Sequence, residues 1–180
     1  MGLNITNNIS KISDNIDVAT AWHSLEHIPK SDLLLMLSKL STLMKKDSRF
    51  IISVPNASSI LYRLFNNLYA FYDFPNHIHQ FTPKSLQILL ENNNFEILEQ
   101  IISWPYNIFG SIQSLLNIFN SKHNYLYYRF KRKSIKQDYI LDIYNFLLLS
   151  FIAPLGLTLS LFNSIFSKYG SVLTICFIKK

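Results

Sequence analysis

Glycine is scarce in this chain: four among 180 residues, at positions 2, 110, 156 and 170, with no glycine-rich loop anywhere. A single cysteine, Cys176, lies in an apolar run. That excludes an internal disulfide and a cysteine-based zinc site, and it fits a reducing, intracellular setting. Charged residues make up only 16% against 49% hydrophobic, which excludes a disordered chain. The opening residues, MGLNITNNIS, have no charged region followed by a long apolar run, so no signal peptide is expected. There are no internal repeats. Acidic residues are fewer than basic ones, and the net charge is +6. Much of the excess sits between Arg129 and Lys136. Such a run meets the phosphates of lipid or nucleic acid, or it is a solvated helix face, and the sequence leaves these readings open.

What is present alternates. Residues 1–15 are polar, rich in asparagine and unpatterned, and read as a ragged start. Ile16 to Trp22 is apolar on both faces, as in a buried parallel strand. Pro29 marks a boundary, and Ser31 or Asp32 caps a helix over 31–46 that carries Leu33, Leu37 and Leu40 at helical spacing. Lys45 and Lys46 are expected in its last turn, where positive charge is favourable. Arg49 to Asn56 is a second strand, stopped at Pro55, and a helix over 57–69 follows. Thr82 and Pro83 start a helix that ends near Glu91, where three asparagines supply the left-handed closing residue. Phe95 to Ile102 is a third strand, residues 105–135 are helical in pieces, Tyr139 to Phe166 is strongly apolar, and Ser171 to Lys180 is a closing strand. Strand and helix in alternation predict a layered α/β sheet. Ligands in such sheets bind beyond the carboxyl ends of the strands. The polar clusters WHSLEH (22–27), VPN (54–56) and PNHIHQF (75–81) follow strands or lie near their ends, with the third expected to fold over the first two.

Four pieces, in order, carry a family resemblance: IDVATAWHSLEHIP, RFIISVPN, PNHIHQFTPKSLQILLENNNFEI and GSVLTICFIKK. Together they resemble the fourth, fifth, sixth and last strands of a class I S-adenosylmethionine-dependent methyltransferase. The match is to the branch of ubiquinone-type and polysaccharide-associated enzymes, with Leu25-Glu26-His27 as the signature core. The resemblance implies a partial Rossmann-like α/β sheet: the last four strands, the final one antiparallel, with an apolar helical insert over 105–168. It implies one incomplete domain over 1–180. The family's glycine-rich turn for the methionine part of the cofactor is missing, as is the acidic residue that holds the ribose. The sequence thus reads as the C-terminal half of such an enzyme, and the strand at 16–22 is expected at a sheet edge, open to association.

By that resemblance Trp22, His23 and Ser24 wall the cofactor, S-adenosylmethionine, with weak or absent binding expected in this chain alone. Trp22 is equally well read as core. Glu26 and His27 are read as fixing the turn, and no metal is assigned. His77 is the candidate catalytic base, taking a proton from a hydroxyl as the methyl group moves. Asn56 and His79 are candidate acceptor-binding residues, and each is also readable as ordering its loop. The implied function is methyl transfer to a hydroxyl or similar group on a small-molecule, sugar or lipid-linked acceptor. The alternative is a non-catalytic remnant that serves as an interaction or membrane-surface module. Expected partners are an N-terminal half-protein, or a second copy through the strand at 16–22, and an anionic membrane surface. Nucleic acid is disfavoured, and a cytoplasmic, peripherally membrane-associated location is expected. For Ile143 to Ser167, three readings compete: a membrane span, an interfacial helix, or a lid packed on the sheet. Asn145, Pro154, Gly156 and Asn163 weigh against the span.

Overall fold

A computed structural model describes residue 12 and residues 16–102, 104–131, 138–166 and 170–180. Four strands form one sheet: β1 (Ile16–Trp22), β2 (Met44–Pro55), β3 (Phe95–Ile102) and β4 (Val172–Lys179), in the order β1-β2-β4-β3. β1 runs parallel to β2, and β4 is antiparallel to both of its neighbours. This is the expected mixed α/β sheet with its last strand inserted antiparallel.

β1 stands at one edge of the sheet, as expected. It is not the fully buried strand that its composition suggested, for Val18 is 57% and Trp22 53% exposed. An edge strand has a neighbour on one side only, and here one of its faces is uncovered as well. The helix before β2 also ends sooner than its spacing suggested. α1 spans Lys30–Leu43, and Met44 is already in strand geometry. Lys45 and Lys46 therefore lie in β2, not in a last helical turn. Ile16 pairs with Met44 and Val18 with Arg49, so residues 45–48 bulge opposite Asp17. Asp47 takes a left-handed φ of 67° there. Lys45 Nζ reaches back to Asp17 Oδ1 at 3.1 Å, so a local charge pair replaces the helix-end role.

The sheet's core is made by period matching. On β2, Phe50, Ile52 and Val54 alternate inward and meet Leu173, Ile175 and Phe177 of β4. Leu33, Leu37 and Leu40 of α1 and Leu86 and Leu90 of α3 (Pro83–Glu91) close over them. α3 begins as its sequence dictates. Thr82 accepts from the Ser85 backbone, Ser85 accepts from the Thr82 backbone, and Pro83 occupies the first turn. It ends in an asparagine turn with Asn94 at φ 64°. The helix expected over 57–69 is shorter: α2 (Ile60–Phe65), capped by Ser59, then a single 3-10 turn at Asn66–Leu68.

A second cluster is helical. α4 (Trp104–Phe119), α5 (Tyr125–Phe130) and α6 (Tyr139–Phe166) join α2 around Leu61, Phe65, Tyr69, Leu116, Tyr125 and Ile152. Tyr69 anchors this layer to the sheet by donating to the Ser171 carbonyl at 3.1 Å, and burial pushes its phenol up to about 12.

Candidate functional site

Beyond the end of β1 the chain turns sharply. The His23 backbone N–H donates to the Ser53 carbonyl at 2.8 Å, and its φ of 44° throws the chain into a 3-10 turn at Leu25–His27. The loop over 74–81 is fastened onto that turn. The N–H groups of Ile78 and His79 both donate to the Glu26 carbonyl, at 2.9 and 3.2 Å. His27 Nδ1 bonds the Asn76 carbonyl, and His79 Nε2 the Ile28 carbonyl, each at 2.8 Å. Two sequence clusters about 50 residues apart thus become one structure, as the reading of a third cluster folding over the first anticipated.

The result brings His27 and His77 edge to face, with ring centroids 4.7 Å apart. His77 Nδ1 lies 2.7 Å from the Phe71 carbonyl. A carbonyl only accepts, so Nδ1 carries the proton and Nε2 is left as the basic nitrogen. Glu26 is fully buried, and neither of its carboxylate oxygens has a hydrogen bond, although His23 Nδ1 lies 3.4 Å from Oε1. A buried carboxylate so placed is costly, which marks it as a group with a further role. Ligating atoms of Glu26, His27 and His77 lie within 4.8 Å of one another, one carboxylate and two imidazoles. This is a donor set that suits a divalent ion, at a place where the sequence reading assigned no metal.

His23, His27 and His77 form one side of a cleft of about 1440 Å³, with Glu26 buried behind them. The other side comes from the helical layer. Phe71 packs against Phe109 of α4, and Gly110 makes the approach feasible, because a Cβ there would lie 2.9 Å from the Phe71 ring. Tyr128 of α5 donates to Asp73, and Asn76 donates to the same carboxylate. Burial, with the Asp73 charge beside it, raises the Tyr128 phenol well above its ordinary range. His123 also lines the cleft; burial lowers its pKa, Asp73 opposes that shift, and its Nε2 has no hydrogen bond.

Of the residues singled out from sequence, the cleft brings together His23 and His77. Trp22 is exposed beside it and Ser24 is half-buried in the turn. Asn56 does not line the cleft. Its amide donates to the Gly170 carbonyl at 2.8 Å, and its Oδ1 accepts from the backbone and hydroxyl of Ser58. His79 is engaged with Ile28 and likewise stands outside the lining. Sequence reasoning missed Asp73, His123 and Tyr128. They carry no motif, and Asp73 and Tyr128 meet only through folding.

With the geometry in view, the comparisons are consistent. The family model described as Methyltransferase domain matches residues 4–100, more than half of the chain. A search of the curated proteins gives no match. Among solved structures, a putative sarcosine dimethylglycine methyltransferase from Galdieria sulphuraria aligns at 11% identity and TM-score 0.51, covering 94% of this chain and 56% of that one. A mycolic acid cyclopropane synthase complexed with SAH and CTAB aligns at 10% identity and TM-score 0.51, covering 95% and 58%. A SAM-dependent methyltransferase from Archaeoglobus fulgidus aligns at 19% identity and TM-score 0.46, covering 95% and 63%. The chain spans less than two thirds of the length of each of these structures. At such identities the two alignments at TM-score 0.51 establish the fold alone, a Rossmann-like methyltransferase sheet. The matched segment takes in β1, its histidine turn, β2, α3 and most of β3, and on that ground the chain belongs to the methyltransferase domain family.

Proposed function

We propose that this chain forms the acceptor-side wall of an S-adenosylmethionine-dependent methyltransferase. Its acceptor is a hydroxyl or similar group on a small-molecule, sugar or lipid-linked compound. The observation that carries the reading is the fastening of the 74–81 loop onto the β1 turn, which sets His77 in the cleft with Nδ1 held by the Phe71 carbonyl. In this reading Nε2 of His77 takes the acceptor's proton as the methyl group moves. His27 and Tyr128 hold the loop that carries it. Asn56 and His79 act on the acceptor side by fixing the turns after β2 and β1.

The residues present fit the cofactor on one side. The exposed Trp22 ring and the His23–Ser24 turn offer a wall. When bound, S-adenosylmethionine supplies a methyl group on a positively charged sulfur. No two glycines lie close enough in sequence to build the tight loop that grips its methionine end. We therefore assign that grip to a segment that carries a glycine-rich turn and pairs with the open edge of β1. The uncovered Val18 and Trp22 support this.

The test is methyl transfer from labelled cofactor by the chain combined with a segment that carries the glycine-rich half. His77→Asn should lower the rate by roughly 10²-fold or more with cofactor affinity unchanged. An unchanged rate in that variant would refute the assignment of His77.

A further inference from the structure

α6 is built inside out. Its buried residues are Asn145, Ile152, Gly156, Ser160 and Asn163, four of them small or polar, and Leu141, Leu148, Leu149 and Leu159 pack half-buried against the helical core. Its opposite side carries Ile143, Phe146, Leu147, Phe151, Leu155 and Ile165, all more than half exposed. No charged residue occurs from Ile143 to Phe166. A helix packed in water turns its apolar stripe inward. Helices in hydrocarbon pack by small residues and side-chain amides instead, since the outward face has no water to avoid.

The α4–α6 seam has that second character. Asn120 and Asn145 exchange amide hydrogen bonds at 2.9 and 3.0 Å. Gly156 lies so near α4 that a Cβ there would sit 2.4 Å from Ile112 Cγ1 and 3.1 Å from its Cα. The helix is long and apolar enough to cross a membrane, and only 22% of its most apolar window is buried, against the mostly buried core helix of a water-soluble fold. Both of its ends are tied to the same domain, however. Asp142 accepts from Tyr125 and Arg129 of α5, and Asn163 donates to Ser171 at the start of β4. A helix held at both ends lies along a membrane surface and does not cross it.

We infer that the outward face of α6 is embedded in the apolar layer of an anionic lipid bilayer, with the domain seated on that surface. Charge complementarity names the occupant. In sequence, the stretch just before α6, Arg129 to Lys136, carries five cations and no acid; Arg129 is neutralised by Asp142 in the first turn of α6, and the other four make the local excess. Basic residues beside an apolar helix favour anionic headgroups. This inference does not depend on catalysis and stands whether or not the cleft is active.

The test uses the full chain and sedimented vesicles of phosphatidylcholine containing phosphatidylglycerol. The chain should partition to these vesicles. Phe151→Glu with Ile165→Glu should weaken partitioning by at least about tenfold with an unchanged circular dichroism spectrum. Should that variant fail to fold, Phe151→Trp serves instead, and the fluorescence it adds should be quenched by vesicles with brominated acyl chains. A chain that stays in the supernatant, or bound protein in which that added fluorescence is unquenched, overturns the inference. So does a dimer that the same glutamates dissociate and that ignores vesicles, because the face then belongs to a second copy.

Discussion

The sheet layer and the helical insert follow opposite rules. In the sheet layer Leu37, Ile52, Leu86 and Phe177 are sealed from solvent, and charges such as Lys45 and Asp32 stand outside. In the insert, Ser114, Asn117, Asn145 and Asn163 are inside while Phe151 and Ile165 are outside. Apolar burial holds the first region together. The second has its own apolar cluster around Leu61, Leu116, Tyr125 and Ile152, to which it adds buried amide networks and close backbone approach: Asn117 alone links Leu68, Gln113 and Asn124. The candidate cleft lies where the two regions meet.

Substitutions can break this contrast. The largest effect is expected from Leu37→Ala, which empties a site with no exposure and should cost about 2–5 kcal/mol in chemical denaturation. Gly156→Val should cost about 1–3 kcal/mol by forcing α6 off Ile112, with the loss confined to the insert in hydrogen exchange. A pH effect should follow from His123. Its pKa is lowered by burial, so its contribution is full above the ordinary 6.5 and is lost as pH falls through the lowered folded value. Asp73, the charged group that counteracts this shift, makes the loss smaller. His123→Gln should flatten the acid side of the melting-temperature profile. Phe151→Ser, at a side chain 80% exposed, should change stability by no more than about 0.5 kcal/mol without lipid. A large loss there would mean that the apolar face is buried in water and that the contrast fails.

Much of the sheet layer was legible in the sequence because its signals are local. Thr82-Pro83, the three asparagines at 92–94 and the apolar run of β4 each fix an element within a few residues. The start of β2 was not legible, since Lys45 and Lys46 suit a helix end and only the pairing of Met44 with Ile16 of β1 begins the strand before them. In the site, the histidines of both clusters were visible, but not their partners. Asp73 and Tyr128 are 55 residues apart, and nothing local marks either. Asn145, Gly156 and Asn163 argued against a membrane span when read as composition. Once their shared inward direction is known, they become the seam that lets the opposite face stay apolar.

The central claim is that this chain supplies one wall of a cofactor site and needs a second segment to grip the donor. Calorimetric titration of S-adenosylmethionine into the purified chain tests it most directly. No saturable heat is predicted for the chain alone, with binding appearing when the glycine-rich segment is added. Micromolar affinity in the chain by itself would contradict the claim.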